Sequence, residues 1–256
     1  MIKKRLIGVV TVRDGLAVQS FGYRRYLPLG RPEILVENLD RWGADEILVQ
    51  CTDRSTRGLG PDLALLERIG RLGLSTPLIY AGGIRNAEDA RAATKAAADR
   101  VCVDALLQDD PGALDTLAAH LGAQAIIAAL PLSREDGELR LLDYRQRRST
   151  ALPAPLLGVL GAGMLSEVLI IDWRNEGRRG GFDQSLLTGF PANIPLIAFG
   201  GLSEAQQLQQ VFELPQVVAA AVGNFLAYEE HAIQHLKKQL TGIALRPAVY
   251  RSSLTP

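Results

Sequence analysis

Two stretches of the 256-residue chain carry residue types suited to holding an anion. Pro77 to Ala90 reads PLIYAGGIRNAEDA, and Pro195 to Leu208 reads PLIAFGGLSEAQQL, 118 residues further on (195 against 77). Each is a short apolar run, then Gly82-Gly83 or Gly200-Gly201, then a capping residue (Asn86, Ser203) that opens a polar-faced helix. A buried strand running into a helix N-terminus presents free backbone N–H groups and the positive end of the helix dipole. Paired glycines let that backbone approach a phosphate closely. One such copy reads more readily as an ordinary tight turn. Two copies at matching places predict a duplicated half-barrel able to hold a ligand with a phosphate at each end, with Gly223 and Asn224 as further phosphate contacts.

The elements that would position these turns alternate strictly. Apolar runs at Arg5–Val10, Glu46–Cys51, Pro77–Ala81, Arg100–Asp104, Ala125–Leu130, Glu167–Asp172, Pro195–Phe199 and Val217–Val222 predict strands. Helical patterns lie between them at Pro32–Trp42, Pro61–Leu72, Ala87–Ala97, Pro111–Leu121, Ala154–Met164, Asp183–Thr188, Glu204–Phe212 and Glu229–Leu240. Continuous apolar strands alternating with helices mean a parallel sheet covered on both faces. Eight units in this length predict a closed (β/α)8 TIM barrel occupying 1–256 as one domain. No G-x-G-x-x-G follows the first strand, which argues against a dinucleotide fold.

Composition narrows the partners. Lys plus Arg balances Asp plus Glu, 28 against 28, so no global charge draws the chain to nucleic acid or to a membrane. A small ligand or a protein partner is expected instead. Two cysteines, Cys51 and Cys102, suit a reducing cytoplasm, and the N-terminus reads as neither a signal peptide nor a span. No His or Cys cluster has metal-ligand spacing, and no cofactor is called for.

Chemistry in such a barrel sits at the C-terminal strand ends. There the chain offers Thr11, Asp53, Asp104, Asp172, Arg174, Glu176 and Asn224. Thr11, Asp104, Asp172 and Glu176 are the catalytic candidates, but no facing acid–base pair is evident. The long connection Gly15–Gly30, with Tyr23, Arg24, Arg25 and Tyr26, is expected at this rim, closing over an anionic or sugar-like ligand. Ser133–Thr150 reads as a hairpin whose arginines Arg145, Arg147 and Arg148 form a solvated face. At the opposite end four strands begin with a charge: Arg5, Glu46, Arg100 and Glu167. Two of each sign around one mouth could form a ring of ion pairs, more telling as a gate than as a source of stability.

Over nearly its whole length the chain resembles the cyclase subunit of imidazole glycerol phosphate synthase, the HisF-type barrel. The matching text is KKRLIG (3–8), VRDG (12–15), GADE (43–46), GGIRN-EDA (82–90), ADRV (98–101), EVLI (167–170), G--GGFD (177–183) and IPLIA-GG (194–201). The resemblance implies a duplicated barrel that binds a substrate carrying two phosphates and takes ammonia from a HisH-type glutaminase on its bottom, N-terminal face. It implies that the Gly-Gly turns are the phosphate sites. It also implies that Arg5, Glu46, Arg100 and Glu167 gate an ammonia channel, with Asp99 at the glutaminase interface.

The rim departs from that family. Thr11 and Pro131 stand where it places its two catalytic aspartates, and Cys51 stands where it has an aspartate ending strand two. The strand-six signature has become Ile171-Asp172-Trp173-Arg174-Asn175-Glu176-Gly177, and Phe199 fills a position that is normally small and polar. Each lost acid–base group is worth ~10²–10⁴-fold in rate. A kept floor beneath a rewritten rim resembles a paralogous branch, in which such a barrel and its glutaminase supply ammonia for acetamidino groups on surface-polysaccharide sugars. Ser20–Pro32 (SFGYRRYLPLGRP) and GADEI (43–47) resemble that branch, whereas VQCTDRSTRG (49–58) departs from it. The expected function is therefore ammonia delivery for sugar amidination. A histidine-pathway cyclase with relocated acid groups and a non-catalytic phosphate-binding scaffold are the alternatives.

Overall fold

A computed structural model describes residues 3–248. In chain order the strands are β1 (Arg5–Arg13), β2 (Leu16–Phe21), β3 (Arg25–Gly30), β4 (Glu46–Cys51), β5 (Leu78–Ala81), β6 (Arg100–Val103), β7 (Ile126–Glu135), β8 (Glu138–Asp143), β9 (Arg148–Ala151), β10 (Glu167–Asp172), β11 (Leu196–Phe199) and β12 (Val217–Val222). The helices are α1 (Pro32–Arg41), α2 (Leu63–Gly70), α3 (Ala87–Ala96), α4 (Ala105–Asp109), α5 (Ala113–Leu121), α6 (Ala154–Leu160), α7 (Ala205–Glu213) and α8 (Ala232–Gln239).

Eight strands pair in parallel in the order β10-β11-β12-β1-β4-β5-β6-β7, and β7 pairs with β10 to close the ring. Closure is in register, with Glu167 opposite Ile127 and Arg5 opposite Ala219. This is the predicted (β/α)8 barrel. The sheet buries two sets of apolar side chains because both of its faces are covered. Along β1, Leu6, Val10 and Val12 join the outer core under the helices, while Ile7 and Val9 join the inner core that fills the lumen. Gly8 lies on the outward side, where a Cβ would come within 2.8 Å of Leu39, so α1 packs directly on the strand backbone.

Both long connections are antiparallel hairpins built on barrel strands. β1 continues past the barrel to pair with β2, which pairs with β3. β7 likewise continues to pair with β8, and β8 with β9. The helix expected at Asp183–Thr188 is a single 3-10 turn, Gln184–Leu187, because the seven residues between Gly181 and Gly189 are too few to nucleate an α-helix. The helix expected to reach Met164 stops at Leu160, with Gly161 as its cap and Gly163 at positive φ just beyond. α7 is capped at Glu204 and not at Ser203, whose hydroxyl instead accepts the Gly180 N–H. Among the described residues no helix is long and apolar enough to cross a membrane.

Candidate functional site

The floor brings together all four predicted gate residues. Arg5 Nη1 donates to Glu46 Oε2 at 2.8 Å and Arg5 Nη2 donates to Glu167 Oε1. Arg100 Nη1 donates to Glu46 Oε1 at 3.0 Å, and Arg100 Nη2 to Glu167 Oε2 at 2.6 Å and to Ser166 Oγ at 2.5 Å. The ring is closed and alternates in sign, with all four carboxylate oxygens occupied. Burial pushes the Glu46 carboxyl up, against the pull of the Arg5 and Arg100 guanidiniums. Above the ring the lumen is apolar, lined by Ile7, Leu48, Ile79, Ile127, Leu169 and Ile197 among others. Asp99 lies exposed beside it, and its carboxylate accepts the Leu78 N–H at 2.8 Å. Behind the ring, Lys237 Nζ reaches Asp45 Oδ1 at 2.8 Å in a nearly dry pair that fixes α8 under β1 and β4.

The rim scatters the catalytic candidates. The Asp172 carboxylate accepts from Asn175 N and Nδ2 and, at 2.8 Å, from Asp183 N, so it staples its own loop. Glu176 Oε2 accepts from the Ser20 hydroxyl at 2.9 Å and from Tyr23 N, anchoring the β2–β3 hairpin. Asn224 accepts the Ser20 N–H at 3.0 Å and donates to the Ser20 carbonyl at 2.6 Å, closing the same junction. Burial raises the Asp172 and Glu176 carboxyls, and only neutral N–H and O–H donors oppose it by hydrogen bonding. Thr11 is buried against a separate cleft between α1 and the turn that follows β12, with Trp42 and Leu35.

Only Asp104, of the four candidates, reaches the main cavity, a space of about 330 Å³ at the C-terminal mouth. Its Oδ1 caps α4 by accepting the Ala105 N–H at 2.5 Å, and its Oδ2 accepts the Tyr144 hydroxyl at 2.8 Å. Burial raises the carboxyl and, with the Asp104 charge beside it, raises the Tyr144 phenol. Pro131, Ala129, Leu169 and Ile171 form an apolar base, which carries the cavity down to the lumen. Arg13, whose guanidinium lies over the Tyr26 ring, Arg145 and Arg147 contribute to the walls. The reading of a merely solvated face is thus corrected for Arg145, which is half-buried, while Arg147 lies exposed as expected although it borders the same space. The β8–β9 turn folds back over the mouth, and Arg145 is held there by Asp109 at 2.6 and 2.8 Å. Sequence alone missed Arg13 and Tyr144, because their position depends on where the two hairpins fold, whereas Tyr23 and Tyr26 line the cavity from the connection expected there. The Gly15–Gly30 connection does sit at the rim, as a hairpin whose Tyr23 packs on the inner core and donates to Gln50 Oε1 at 3.1 Å.

The glycine turns are alike in what they approach. A Cβ on Gly82 would lie 2.4 Å from the Cys51 carbonyl, and one on Gly200 would lie 2.5 Å from the Asp172 carbonyl. Gly83 and Gly201 have φ of +70° and +86°, which side chains rarely adopt. In both halves, therefore, the turn is pressed against the loop following the preceding strand. Gly82 lines the main cavity, while Gly200 and Gly201 do not, and Gly223 faces the Phe199 ring at 3.5 Å from a virtual Cβ.

An eight-stranded barrel with an ion-paired floor, an apolar lumen and similar strand–Gly-Gly–helix turns in its two halves defines a two-halved metabolic (β/α)8 barrel. A family model described as histidine biosynthesis protein matches residues 5–232, and the chain belongs to that family. It is similar to the putative imidazole glycerol phosphate synthase subunit hisF2 of Vibrio vulnificus, at 29% identity over 96% of this chain and 91% of that protein. Imidazole glycerol phosphate synthase subunit HisF of Maricaulis maris is 31% identical over 96% and 99% of the two chains. The HisF subunit of Exiguobacterium is 28% identical over 93% of each.

Proposed function

We propose that this protein is a HisF-like barrel subunit that docks a HisH-type glutaminase on its N-terminal face and passes ammonia through the floor ring and up the lumen, for amidination of a sugar in surface-polysaccharide synthesis. The observation that carries this reading is the contrast between the complete ring of Arg5, Glu46, Arg100 and Glu167 and the rim, where Thr11 and Pro131 offer no acid–base group. An apolar lumen penalises an ammonium ion and lets neutral ammonia through. The ring opens when one guanidinium swings out, and Arg5, its most exposed member at 20% side-chain exposure, is the one to move. Asp99, exposed on the same face, belongs to the docking surface. A phosphorylated small molecule occupies the rim. Buried free thiols at Cys51 and Cys102 suit the cytoplasm as the place of work.

A histidine-pathway cyclase is the second reading, and Asp104 is the observation that favours it. A carboxyl raised by burial, joined to a phenol in the wall of the cavity, is suited to proton transfer. Two measurements separate the readings. Mixing the protein with a HisH-type glutaminase of the same organism is expected to give a stable complex and faster glutamine hydrolysis, and failure to associate sinks the first. Growth of a histidine auxotroph lacking its HisF subunit, on supply of this protein, supports the second.

A further inference from the structure

The floor ring does not hold its two guanidiniums alike. Arg5 donates to the two carboxylates alone, Nη1 to Glu46 and Nη2 to Glu167. Arg100 bridges the same two carboxylates and has a third acceptor besides. Its Nη2 donates to Glu167 Oε2 at 2.6 Å and also to Ser166 Oγ at 2.5 Å. The serine is itself fixed. Its N–H and its hydroxyl both donate to the Ile126 carbonyl, at 2.9 and 2.7 Å, where β7 pairs with β10. With its one hydroxyl proton engaged there, Ser166 Oγ has only lone pairs to offer the ring. A guanidinium, which has donors and no acceptor, is the group that can use them.

A second observation shows why Arg100 needs the extra hold. Its Nε is buried and meets no acceptor among the described residues, and the Arg5 Nε is not so placed. A buried unmet N–H costs free energy that swinging out to water would recover, so Arg100 is under a pull to leave that Arg5 is not. Yet Arg100 is the more enclosed of the two, at 12% side-chain exposure against 20%. We infer that Ser166 is a latch on Arg100, a positioning residue that keeps this guanidinium bridging Glu46 and Glu167 while Arg5 alone swings, so that the floor opens only on the β1 side. This deepens the proposed function by naming what selects the moving member of the gate, and it rests on that reading of the ring. When Arg5 leaves, each carboxylate keeps its Arg100 bond, and no buried charge is left bare. Loss of both guanidiniums would strip the two carboxylates, and the latch prevents it.

Arginine modification by phenylglyoxal, followed residue by residue by mass spectrometry of peptides, tests this on the full-length protein. A guanidinium reacts when it leaves its partners for water, and the exposed Arg31 serves as internal standard. In wild type Arg5 is expected to react about tenfold faster than Arg100, the scale of one hydrogen bond to a charged group. Ser166→Ala is expected to raise the Arg100 rate about tenfold and to leave the Arg5 rate within about twofold. Ser166→Thr, which keeps the hydroxyl, should protect Arg100 as serine does. An Arg100 that reacts as fast as Arg5 in wild type would overturn the inference, and that comparison needs no variant to fold. So would an Arg100 still protected in Ser166→Ala, or one unprotected in Ser166→Thr. Arg5 and Arg100 rising together in a Ser166→Ala protein with an intact thermal transition would overturn it too, since that marks a general loosening of the ring. No glutaminase and no ammonia acceptor take part, so these outcomes are separate from success or failure of association with a glutaminase.

Discussion

The two mouths of the barrel are both built from strand-end charges, yet they use them differently. At the floor each carboxylate faces two guanidiniums, so Glu46 and Glu167 are balanced by charge within one closed ring. At the rim Asp172 and Glu176 face no cation and are held by N–H and O–H groups of the loops they anchor. Burial raises Glu46, Asp172 and Glu176 alike, but only Glu46 has guanidiniums that pull it back. The lesson is that a buried acid is not by itself a catalytic acid. What surrounds it decides whether it gates, braces or reacts.

That contrast is broken most directly at the floor. Glu167→Ala leaves Arg5 and Arg100 each short of a partner in a poorly solvated place. It is expected to cost about 3–5 kcal/mol in urea unfolding, the range for removing one member of a buried pair. A loss under about 1 kcal/mol would mean that the ring is solvated and its closure unimportant. Gly200→Ala comes next. Its Cβ would meet the Asp172 carbonyl at 2.5 Å with φ at +108°, for an expected loss of about 2–3 kcal/mol in the same assay. An unchanged midpoint would show that the turn and the end of β10 are not pressed together. Glu176→Gln sharpens the comparison with the smallest effect, since one amide oxygen can accept from both Ser20 and Tyr23.

The sign of that last effect follows from linkage. Burial raises the Glu176 carboxyl above its unfolded value, so its contribution to stability is complete at pH below the ordinary glutamate range. It is lost as pH rises through the raised value. Glutamine has no such loss, so the melting temperature of the variant relative to wild type should climb between pH 4 and pH 8. A difference that stays flat or falls over this window would mean that the hydrogen bonds from Ser20 and Tyr23 to the carboxylate offset or outweigh its burial.

Much of the barrel was legible before any coordinates. Parallel strands buried on both faces have near-continuous apolar runs, so β4, β10 and β12 are plain in EILVQC, EVLIID and VVAAAV. The floor was legible for a related reason. A charge that opens an apolar strand, followed by alternate residues facing the lumen, must sit at the barrel mouth, and four such charges can meet only there. The 3-10 turn at Gln184–Leu187 was not legible, because helix nucleation in a six-residue segment depends on the loops on either side.

By itself the sequence determined the closed barrel, the ring at its base and the positions of the two glycine turns, since each follows from local period and strand order. The tertiary structure decided what the rim charges do. Whether Asp104 enters a cavity, Glu176 braces a hairpin or Arg145 turns inward depends on how β2–β3 and β8–β9 fold over the mouth. Those contacts join residues as far apart as Ser20 and Asn224, and no local pattern records a pairing made across 204 positions.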